Sequence, residues 1–430
     1  MWIYSQRVGG FMRKRKNNKK KVLKIVIAFL LILIVCVGIY FILNNKDKKI
    51  IKINYNDYYS KYVITNNTAK IYIKENNEYK ESGFIGNNVE LTLNKDDNKD
   101  GYFNISDFDG KYYINYKDIE KIDTLSSIDD RYKEYIVFNN NVVTNDKTEF
   151  YDEDNNLVYS FNEGYSLPII IKDTDRYGVE FNNRLLYIKA DTSEIIDNTN
   201  TDKHNASGVG VFNYHAFYDE NDPNDSCPTE ICHSKKQFKE QLDYLKENNI
   251  LTLKMKEVEM YIDGKIQLPK SILLTIDDGG RDKIAVDMLT EYKMYATIFL
   301  VTAWNDPSTY YKTDYIELHS HTDSMHYTGV CPGGQGGGIK CLSESVIEED
   351  LKTSRDKLGG STYIAYPYYE YNEYSIRMLK KAGFTMAFIG ESNNSDNLVH
   401  VGSDKFRLRR FVIVTYTTIN DIDKYLGQIK

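Results

Sequence analysis

The chain has 430 residues, with 55 Lys and Arg against 62 Asp and Glu, and a formal net charge of −7. This length is typical of two or three domains. The first 21 residues carry a charge of +8, so the remaining residues together carry −15. An acidic chain of this kind is poorly matched to a polyanion, and no nucleic-acid partner is predicted.

The N-terminal residues predict a membrane anchor. Residues 1–21 contain eight basic side chains and no acid, whereas residues 22–43 are apolar apart from Lys24. That apolar run is long enough to cross a bilayer. A cleavable signal peptide is the alternative, but its apolar core would be shorter, and no small-residue cleavage site follows Leu43. The basic tail is therefore predicted to be cytoplasmic, in a single-pass protein of the cell membrane whose residues 44–430 are extracellular.

Five cysteines are present, and Cys36 lies inside the apolar run. The other four form two close pairs, Cys227 with Cys232 and Cys331 with Cys341. An even number of cysteines outside a membrane predicts two local disulfides. Zinc binding and free thiols are the alternatives, although these spacings differ from those of a usual zinc knuckle.

Residues 50–198 are predicted to be β-structure, because short alternating apolar runs are separated there by Asn, Asp and Gly turns. Residues 50–125 and 137–198 contain similar series of strands and turns, so two related all-β modules are predicted. The pattern resembles bacterial SH3-like modules. That resemblance implies binding of cell-wall glycan or peptide, and the alternative is a pair of spacers between the membrane and the rest of the chain.

From residue 205 to residue 430, strands alternate with amphipathic helices. Strands are predicted over 209–214, 272–276, 296–301, 315–318, 363–366, 386–389 and 411–414. Helices are predicted over 236–248, 283–292 and 372–382. A further helix is predicted to open at a capping box formed by Ser345 and Glu348. This order indicates an α/β domain with a parallel sheet, either open or closed into a barrel.

Acidic and histidine side chains follow two of these strands. Asp277 and Asp278 end one strand, and His321 and His326 follow another. Two imidazoles and a carboxylate are a common ligand set for a divalent metal, so Asp278, His321 and His326 are predicted to hold the ion. Asp277 can then act as the base for a water whose pKa the ion lowers. The alternative for the two acids is a polar hairpin turn.

Three stretches in this order are similar to the motifs of a known family. Thr275-Ile-Asp-Asp-Gly279, His321-Thr-Asp-Ser-Met-His326 and Ala365-Tyr-Pro-Tyr368 resemble the first three motifs of the polysaccharide deacetylases, the NodB-homology group or carbohydrate esterase family 4. The resemblance covers residues 208–430 in motif order. It implies a distorted (β/α)7 barrel that removes acetyl groups from N-acetylated sugars with a divalent metal. Zinc is favoured, with cobalt or manganese as alternatives.

The same resemblance implies roles for single residues. Asp277 is the general base beside the metal. The backbone N–H of Tyr368 helps to hold the oxyanion, and Pro367 fixes that turn in advance. Tyr214 and His215 are similar to the Tyr-His pair that opens many members, and they are predicted to contact the substrate.

The chain departs from the family pattern at three points. Ala365 stands where many members have an Arg that orients the base, and Arg409 or Arg410 is predicted to replace it on the substrate side of the site. Tyr369 stands where a Gly often follows. In the family, a late Leu-x-His motif protonates the leaving amine. Leu398-Val-His400 matches this motif, but it lies in a polar loop. The alternative to the role of acid is therefore a solvated histidine.

These features predict a metal-dependent N-deacetylase of cell-wall glycan that acts on the N-acetylglucosamine of peptidoglycan. The product would carry free amines and would hinder lysozyme-type hydrolases. A deacetylase of a poly-N-acetylglucosamine exopolysaccharide is an alternative that the His-x4-His spacing favours. A catalytically silent glycan-binding protein is another, against which the intact motifs argue. The glycine-rich run Gly333–Gly338 is predicted to be a flexible loop beside the metal site, since it lacks the features of a phosphate loop.

Overall fold

The structure is a computed structural model that describes residues 26–28, 30–37, 54–95, 100–198, 205–393 and 396–430. It divides into two compact units, Met1–Tyr58 and Tyr59–Lys430. In the first unit, residues 26–28 and 30–37 are helical. The predicted tail, and about half of the predicted span over 22–43, lie outside the described residues. In the part of the chain that the structure does describe, no helix has both the length and the apolar character that a membrane crossing needs.

The second unit begins with a region of strands joined by turns and short 3-10 helices. Its first series is β1 (Tyr62–Thr65), β2 (Ala69–Glu75), β3 (Glu78–Ile85), β4 (Glu90–Thr92), β5 (Tyr102–Asn104), β6 (Tyr113–Asn115) and β7 (Ile119–Ile122). The second series is β8 (Asn140–Val143), β9 (Thr148–Tyr151), β10 (Leu157–Phe161), β11 (Ser166–Pro168), β12 (Ile171–Lys172), β13 (Arg176–Phe181), β14 (Arg184–Lys189) and β15 (Glu194–Asp197).

The two series have similar connectivity, as an internal repeat requires, with one additional strand, β12, in the second. In the first, β4-β1-β7 is a three-stranded sheet, and β3, β2, β6 and β5 pair in that order. In the second, β11-β8-β15 is the corresponding sheet, and β10, β9, β14, β13 and β12 pair in that order. Each module is thus built from two groups of paired strands. The similarity of the two modules to bacterial SH3-like modules stays a prediction.

The two modules share one sheet and one core. β3 pairs antiparallel with β10, with Phe84 opposite Ser160, and this pair joins both series into a sheet of nine strands. Phe103 of the first module lies in the same buried cluster as Phe150 and Phe161 of the second. Because each module covers apolar surface of the other, the pair forms a single β unit.

The C-terminal domain alternates strands with helices. Its strands are β16 (Gly210–Tyr214), β17 (Ala216–Tyr218), β18 (Cys232–Ser234), β19 (Leu251–Thr252), β20 (Ser271–Asp278), β21 (Ala296–Leu300), β22 (Ile316–Ser320), β23 (Tyr363–Ala365), β24 (Met386–Phe388) and β25 (Phe411–Val412). Its helices are α1 (Lys235–Glu247), α2 (Met255–Ile262), α3 (Lys283–Tyr292), α4 (Glu344–Lys357), α5 (Glu373–Lys381) and α6 (Ile419–Gly427).

A parallel sheet in the order β24-β23-β22-β21-β20-β16-β25 is the frame of this domain, and β19 pairs with the start of β20. An isolated parallel bridge between Phe388 and Leu408 brings the segment before β25 back to β24. The sheet is therefore curled, and the domain is an α/β half-barrel. With β19 included, the sheet has eight strands, and the predicted (β/α)7 barrel stays a prediction.

β20 is longer than the predicted strand over 272–276 and includes both acids. Asp277 and Asp278 pair in parallel register with Phe299 and Leu300 of β21. A tight hairpin joins antiparallel strands. The parallel neighbour therefore rules out the hairpin-turn alternative.

The predicted capping box at Ser345 and Glu348 is wrong. The N-cap residue is Ser343, two residues earlier than predicted, and α4 begins at Glu344. Ser345 therefore lies inside the first turn, where its side chain cannot cap the helix. Glu348 forms an ion pair with Lys381 of α5 instead.

A buried ion pair attaches the β unit to the C-terminal domain. Arg131 donates to the two carboxylate oxygens of Glu257 at 2.6 and 2.8 Å and to the carbonyl of Thr252 at 2.7 Å. Tyr135 donates to Glu257 at 2.8 Å. Thr252 lies in β19, which pairs with the first residues of β20. The β unit is therefore joined at the N-terminal edge of the parallel sheet.

Both predicted disulfides are confirmed, Cys227 with Cys232 and Cys331 with Cys341. The first closes the loop that leads into β18. The second closes the loop that contains the glycine-rich run. Zinc binding by these thiols is thereby ruled out.

His233, in β18, makes stability depend on pH. It is fully buried, and its Nε2 lies 3.1 Å from the carbonyl oxygen of Ile413. Burial lowers the pKa of His233 from 6.5 to about 4, although the Ile413 carbonyl opposes the shift. Its contribution to stability is therefore complete above pH 6.5 and declines as the pH falls from 6.5 towards 4, by at most about 3 kcal/mol.

Urea unfolding of the full chain at several pH values between 7 and 4 tests this expectation. In a His233→Gln variant, the amide can still donate to Ile413 but does not titrate, so we expect a smaller loss of stability on acidification. The same pH dependence in both proteins would contradict the assignment.

Candidate active site

Side chains from several strands meet at one edge of the parallel sheet. Asp277 and Asp278 end β20, His321 follows β22, and a 3-10 turn over Pro367–Tyr369 follows β23. Arg410 immediately precedes β25. In parallel α/β sheets, the carboxyl ends of the strands form the edge at which active sites lie.

The three residues predicted to hold a metal come together at this edge. The Oδ1 atom of Asp278 lies 3.4 Å from Nε2 of His321 and 3.1 Å from Nε2 of His326. One ligand atom from each residue falls within 4.8 Å of the others. Asp278 has a φ of 73°, which is uncommon for a residue other than glycine and is typical of functional sites.

The remaining ring nitrogens hold the two imidazoles in place. Nδ1 of His321 lies 2.8 Å from the carbonyl oxygen of Ala365, and Nδ1 of His326 lies 3.1 Å from the hydroxyl of Tyr368. Such contacts orient histidine ligands in metal sites. Among the described residues, the buried Oδ1 of Asp278 has no hydrogen-bond partner. An unpaired carboxylate oxygen that faces two oriented imidazole nitrogens fits a divalent metal ion.

Asp277 is held on the other side of the strand by Arg410. Nη1 and Nη2 of Arg410 donate to the two oxygens of Asp277 at 2.7 and 2.8 Å. Arg410 also donates to the side chain of Asn213 at 3.1 Å and to the carbonyl of Ile389 at 3.2 Å. The guanidinium is fully buried. Arg410 therefore orients Asp277, as predicted for the replacement of the missing Arg, but it does not reach the substrate side.

The surroundings keep both acids ionised. Burial acts to raise the pKa of Asp277, but the charges of Arg410 and His321 outweigh it, so this pKa lies below its usual range. Burial also acts to raise the pKa of Asp278, but the imidazoles of His321 and His326 beside its carboxylate outweigh burial, so this pKa is lowered as well. A buried carboxylate that remains charged beside a polar cluster is typical of a functional site.

His215 lies beside the two acids, as predicted for a substrate contact. Its Nδ1 is buried, with no hydrogen-bond partner among the described residues. Its ring centroid lies 6.5 Å from that of Tyr369. Burial lowers the pKa of His215, and the charges of Asp277 and Asp278 oppose that shift. An unpaired imidazole nitrogen at this position is available to a ligand.

Tyr214 does not reach the site. It is 1% exposed, its hydroxyl donates to Gln241 at 3.0 Å, and its ring packs against Phe217 and Phe238. Neighbouring residues of a strand point to opposite faces. Because His215 faces the site, Tyr214 faces the core, which corrects the prediction that both contact the substrate.

The structure also places His400 away from the site. Its Nδ1 lies 2.6 Å from the carbonyl oxygen of Ser207, and its Nε2 lies 2.6 Å from Asp396. The neighbouring Val399 pairs with Val209, just before β16. β16 runs from there to the site, and its five residues span about 13 Å. His400 is therefore at the opposite edge of the sheet, which corrects its predicted role as the acid.

For the reaction that the sequence resemblance implies, a His400→Ala variant is expected to keep near-normal turnover, whereas His215→Ala should lose most of it because His215 lies beside the two acids. Acetate release by the metal-loaded full chain measures both. A large loss in the His400 variant, with the same secondary structure by circular dichroism, would restore the Leu-x-His assignment.

The turn over Pro367–Tyr369 has the conformation that a close backbone approach requires. Tyr368 and Tyr369 have φ values of 57° and 60°. Pro367 is buried, so its predicted effect is on the shape of the turn rather than on direct contact with substrate. The hydroxyl of Tyr368 adds a contact to His326 that was not predicted.

Glu370 ties this turn to the disulfide loop. Its carboxylate accepts from the N–H groups of Gln335 and Gly337 at 2.5 and 2.7 Å, and it pairs with Lys340 at 3.0 Å. All three donors lie between Cys331 and Cys341. The loop lies beside the site as predicted, but it is fixed to the third motif.

A Tyr368→Phe variant tests how His326 is oriented. The loss of one hydrogen bond to a metal ligand is expected to weaken metal binding about ten-fold, because His326 loses the partner that fixes its ring. Competition with a chelating dye measures the affinity, and Tyr371→Phe is the matched control. Unchanged affinity in the Tyr368 variant would show that the contact is not needed.

The sequence patterns did not single out Trp304, which stands at the rim of the site. It is 56% exposed, and its ring centroid lies 4.9 Å from that of His326. An exposed indole beside a polar cluster offers a flat apolar surface to a ligand. A signal was available in its position. Trp304 follows β21 and therefore lies between β20 and β22 in the chain, the two strands after which site residues were predicted.

Residues 265–387 match the family model for polysaccharide deacetylase. This match supports a polysaccharide deacetylase domain in this part of the chain. The matched residues include Asp277 and the cluster of Asp278, His321 and His326, and they end before Arg410. The domain therefore contains the residues of a possible metal site.

Relatives and solved structures were also found. Poly-beta-1,6-N-acetyl-D-glucosamine N-deacetylase of Staphylococcus aureus strain MRSA252 is 29% identical over 177 residues, which cover 36% of this chain and 60% of that protein. The chain thus covers less than two thirds of the length of the first two curated relatives: 58% of one and 60% of the other. IcaB from Ammonifex degensii is 21% identical, with a TM-score of 0.42 over 52% of this chain and 98% of that chain. A de-N-acetylase from Aggregatibacter actinomycetemcomitans is 19% identical, with a TM-score of 0.43 over 50% and 99%.

Proposed function

We propose that this protein hydrolyses the acetamide of N-acetylglucosamine units in a glycan polymer, with a divalent metal as cofactor. One observation carries the proposal. Asp277, held by Arg410, lies beside the cluster of Asp278, His321 and His326 at the carboxyl edge of a polysaccharide deacetylase domain.

Zinc is the metal that we propose, since two imidazoles and one carboxylate are its usual ligands in catalytic sites. The same residues could also bind cobalt or manganese, but this set of ligands is less typical of those two metals. Such an ion would supply Lewis acidity to the acetamide carbonyl and would lower the pKa of water.

The protein's own residues carry the proton transfers. Asp277 takes a proton from the attacking water, and Arg410 keeps the carboxylate in position. The backbone N–H of Tyr368 donates to the carbonyl oxygen as negative charge develops there. His215 lies beside the two acids and, in its protonated form, donates the proton that the leaving nitrogen needs when the C–N bond breaks. The charges of Asp277 and Asp278 favour that form and oppose the lowering of its pKa by burial. The products are acetate and a free amine on the sugar.

Two polymers are candidates for the substrate. Peptidoglycan is supported by the predicted anchor and by the β unit, which resembles wall-binding modules. A β-1,6-linked poly-N-acetylglucosamine is supported by the His-x4-His spacing and by the activity named for the Staphylococcus aureus relative. With peptidoglycan as substrate, the free amines would reduce the negative charge of the wall and hinder lysozyme-type hydrolases.

The proposed location is the outer face of the cell membrane, with residues 22–43 as a single span. The basic tail before this span and the two disulfides after it support that topology. Fractionation of cells, followed by protease treatment of intact cells, tests it. Full protection of the C-terminal domain from external protease would contradict it.

The function is tested by following acetate release from purified peptidoglycan and from poly-N-acetylglucosamine in parallel. The full chain is stripped of metal and then supplied with zinc, cobalt or manganese. Metal-dependent release from either polymer supports the proposal and identifies the substrate. Metal binding without acetate release from either polymer would instead support the catalytically silent, glycan-binding alternative.

A further inference from the structure

A groove adjoins the proposed active site, between the segments that follow β24 and β25. Its volume is about 780 Å³, and Tyr369 forms one wall. Asn213 donates to the hydroxyl of Tyr369 at 2.8 Å, and its Nδ2 lies 3.4 Å from Asp277. Tyr369 therefore connects the wall of the groove to the residues around Asp277.

The groove has aromatic surface of the kind that packs against sugar rings. Tyr416 lines it and is 71% exposed. Tyr371 and Tyr425 also line it, and Tyr425 is held by stacking on Phe411 with a centroid separation of 4.2 Å. A tyrosine combines an apolar face with a polar edge, which suits a ligand that has both.

The groove is also acidic. Glu230, Glu391 and Asp421 line it, and Arg409 is the basic residue among its lining residues. Asp421 accepts a hydrogen bond from Thr418 at 2.7 Å, at the start of α6. Asp421 also pairs with Lys424 at 3.3 Å, whereas Glu230 and Glu391 are exposed and are in none of the ion pairs of the described residues. Their two charges exceed that of Arg409, so the groove favours a cation over an anion.

We propose that this groove is a subsite for a glucosamine unit, which is the cationic sugar that deacetylation produces. The inference rests on the proposed function. A neighbouring N-acetylglucosamine unit then lies at the reaction centre, and the Glu391 carboxylate faces the ammonium group in the groove. The protein therefore acts preferentially beside units that have already been deacetylated, so that each turnover creates a better site for the next.

Binding measurements test the subsite independently of catalysis. The probes are β-1,6-linked and β-1,4-linked N-acetylglucosamine tetramers, each compared with the same tetramer carrying one glucosamine unit. We expect the full chain to bind one of the glucosamine-containing tetramers about five-fold more tightly than its fully acetylated counterpart. This preference should decrease as salt is added, because the added ions screen the charges.

Glu391→Gln should remove the preference, so that the two tetramers bind the variant with similar affinity. Glu349→Gln, which makes the same change at an exposed position of α4, is the matched control and should retain the preference. Equal affinity of the unmodified protein for the two tetramers would overturn the inference, and so would a preference that survives in the Glu391 variant.

Acetate release from the same tetramers separates this inference from the proposed function. If acetate is released at equal rates from both tetramers and both bind equally, the deacetylase proposal stands and the subsite proposal falls. If neither tetramer nor polymer releases acetate while the charge-dependent binding persists, the deacetylase proposal falls and the groove remains a glucosamine site.

Discussion

An Asp277→Asn variant is expected to lose about 100- to 10,000-fold of its turnover while it still binds metal, because the amide cannot accept the proton of the attacking water. The change preserves the shape of the side chain but leaves Arg410 without a buried counter-charge. Acetate release is therefore measured per metal-loaded, folded protein, at a temperature where circular dichroism shows the variant to be folded.

Asp278→Asn is the matched comparison, since it makes the same chemical change at the adjacent residue. Asp278 faces the two histidines rather than Arg410, so this variant should lose metal as well as activity. The contrast between metal retained in one variant and lost in the other is the decisive result. Near-normal turnover of the Asp277 variant would remove Asp277 as the base.

An Arg410→Gln variant is expected to lose about 3–5 kcal/mol of the free energy of unfolding, because it leaves Asp277 buried and charged without its partner. Urea unfolding of the full chain measures this loss. Arg409→Gln makes the same charge change at the preceding, partly exposed residue, and it should change stability by no more than about 0.5 kcal/mol. Similar losses in the two variants would show that the ion pair does not support the fold.

The loss in the Arg410 variant should also depend on pH. In the unmodified protein Arg410 lowers the pKa of Asp277, so the stability from this acid is present above its unfolded pKa of about 3.9 and is lost as the pH falls through the folded pKa. Without Arg410, burial raises that pKa, and Asp277 can become neutral. The difference in stability between the two proteins should therefore be larger at pH 7 than at pH 4.

The metal cluster could be predicted from the sequence because its parts are short motifs. His321 and His326 are five residues apart, and Asp278 is next to the acid proposed as the base. Each motif follows a recognisable apolar strand, and parallel strands bring their carboxyl ends to one edge. These two facts were enough to place the three side chains near one another.

The same reasoning misplaced Tyr214 and His400. The residue types of both motifs were present, but the direction in which a side chain points depends on which face of the sheet its residue occupies. Tyr214 faces the core because His215 faces the site. His400 lies near Ser207, at the N-terminal end of β16, because Val399 pairs with Val209 there. The partners of these side chains, Gln241 for Tyr214 and Ser207 for His400, are far away in the sequence.

Arg410 was one of two candidates that the sequence offered, and only the structure separates it from Arg409. Arg410 is fully buried and bonds to Asp277, whereas Arg409 lines the adjoining groove. The choice depends on how the segment before β25 lies between β24 and β16. That arrangement is a property of the whole sheet.

The sequence by itself determined the α/β character of residues 205–430, the two cysteine pairs and the three residues of the candidate metal site. Periodicity and short spacings are local properties, so they can be read without a fold. Only the tertiary structure decided the partner of Asp277, the joining of the two β modules into one sheet and the acidic groove beside Tyr369. These features depend on contacts between residues far apart in the chain, and such contacts exist only when the order and pairing of all the strands are set.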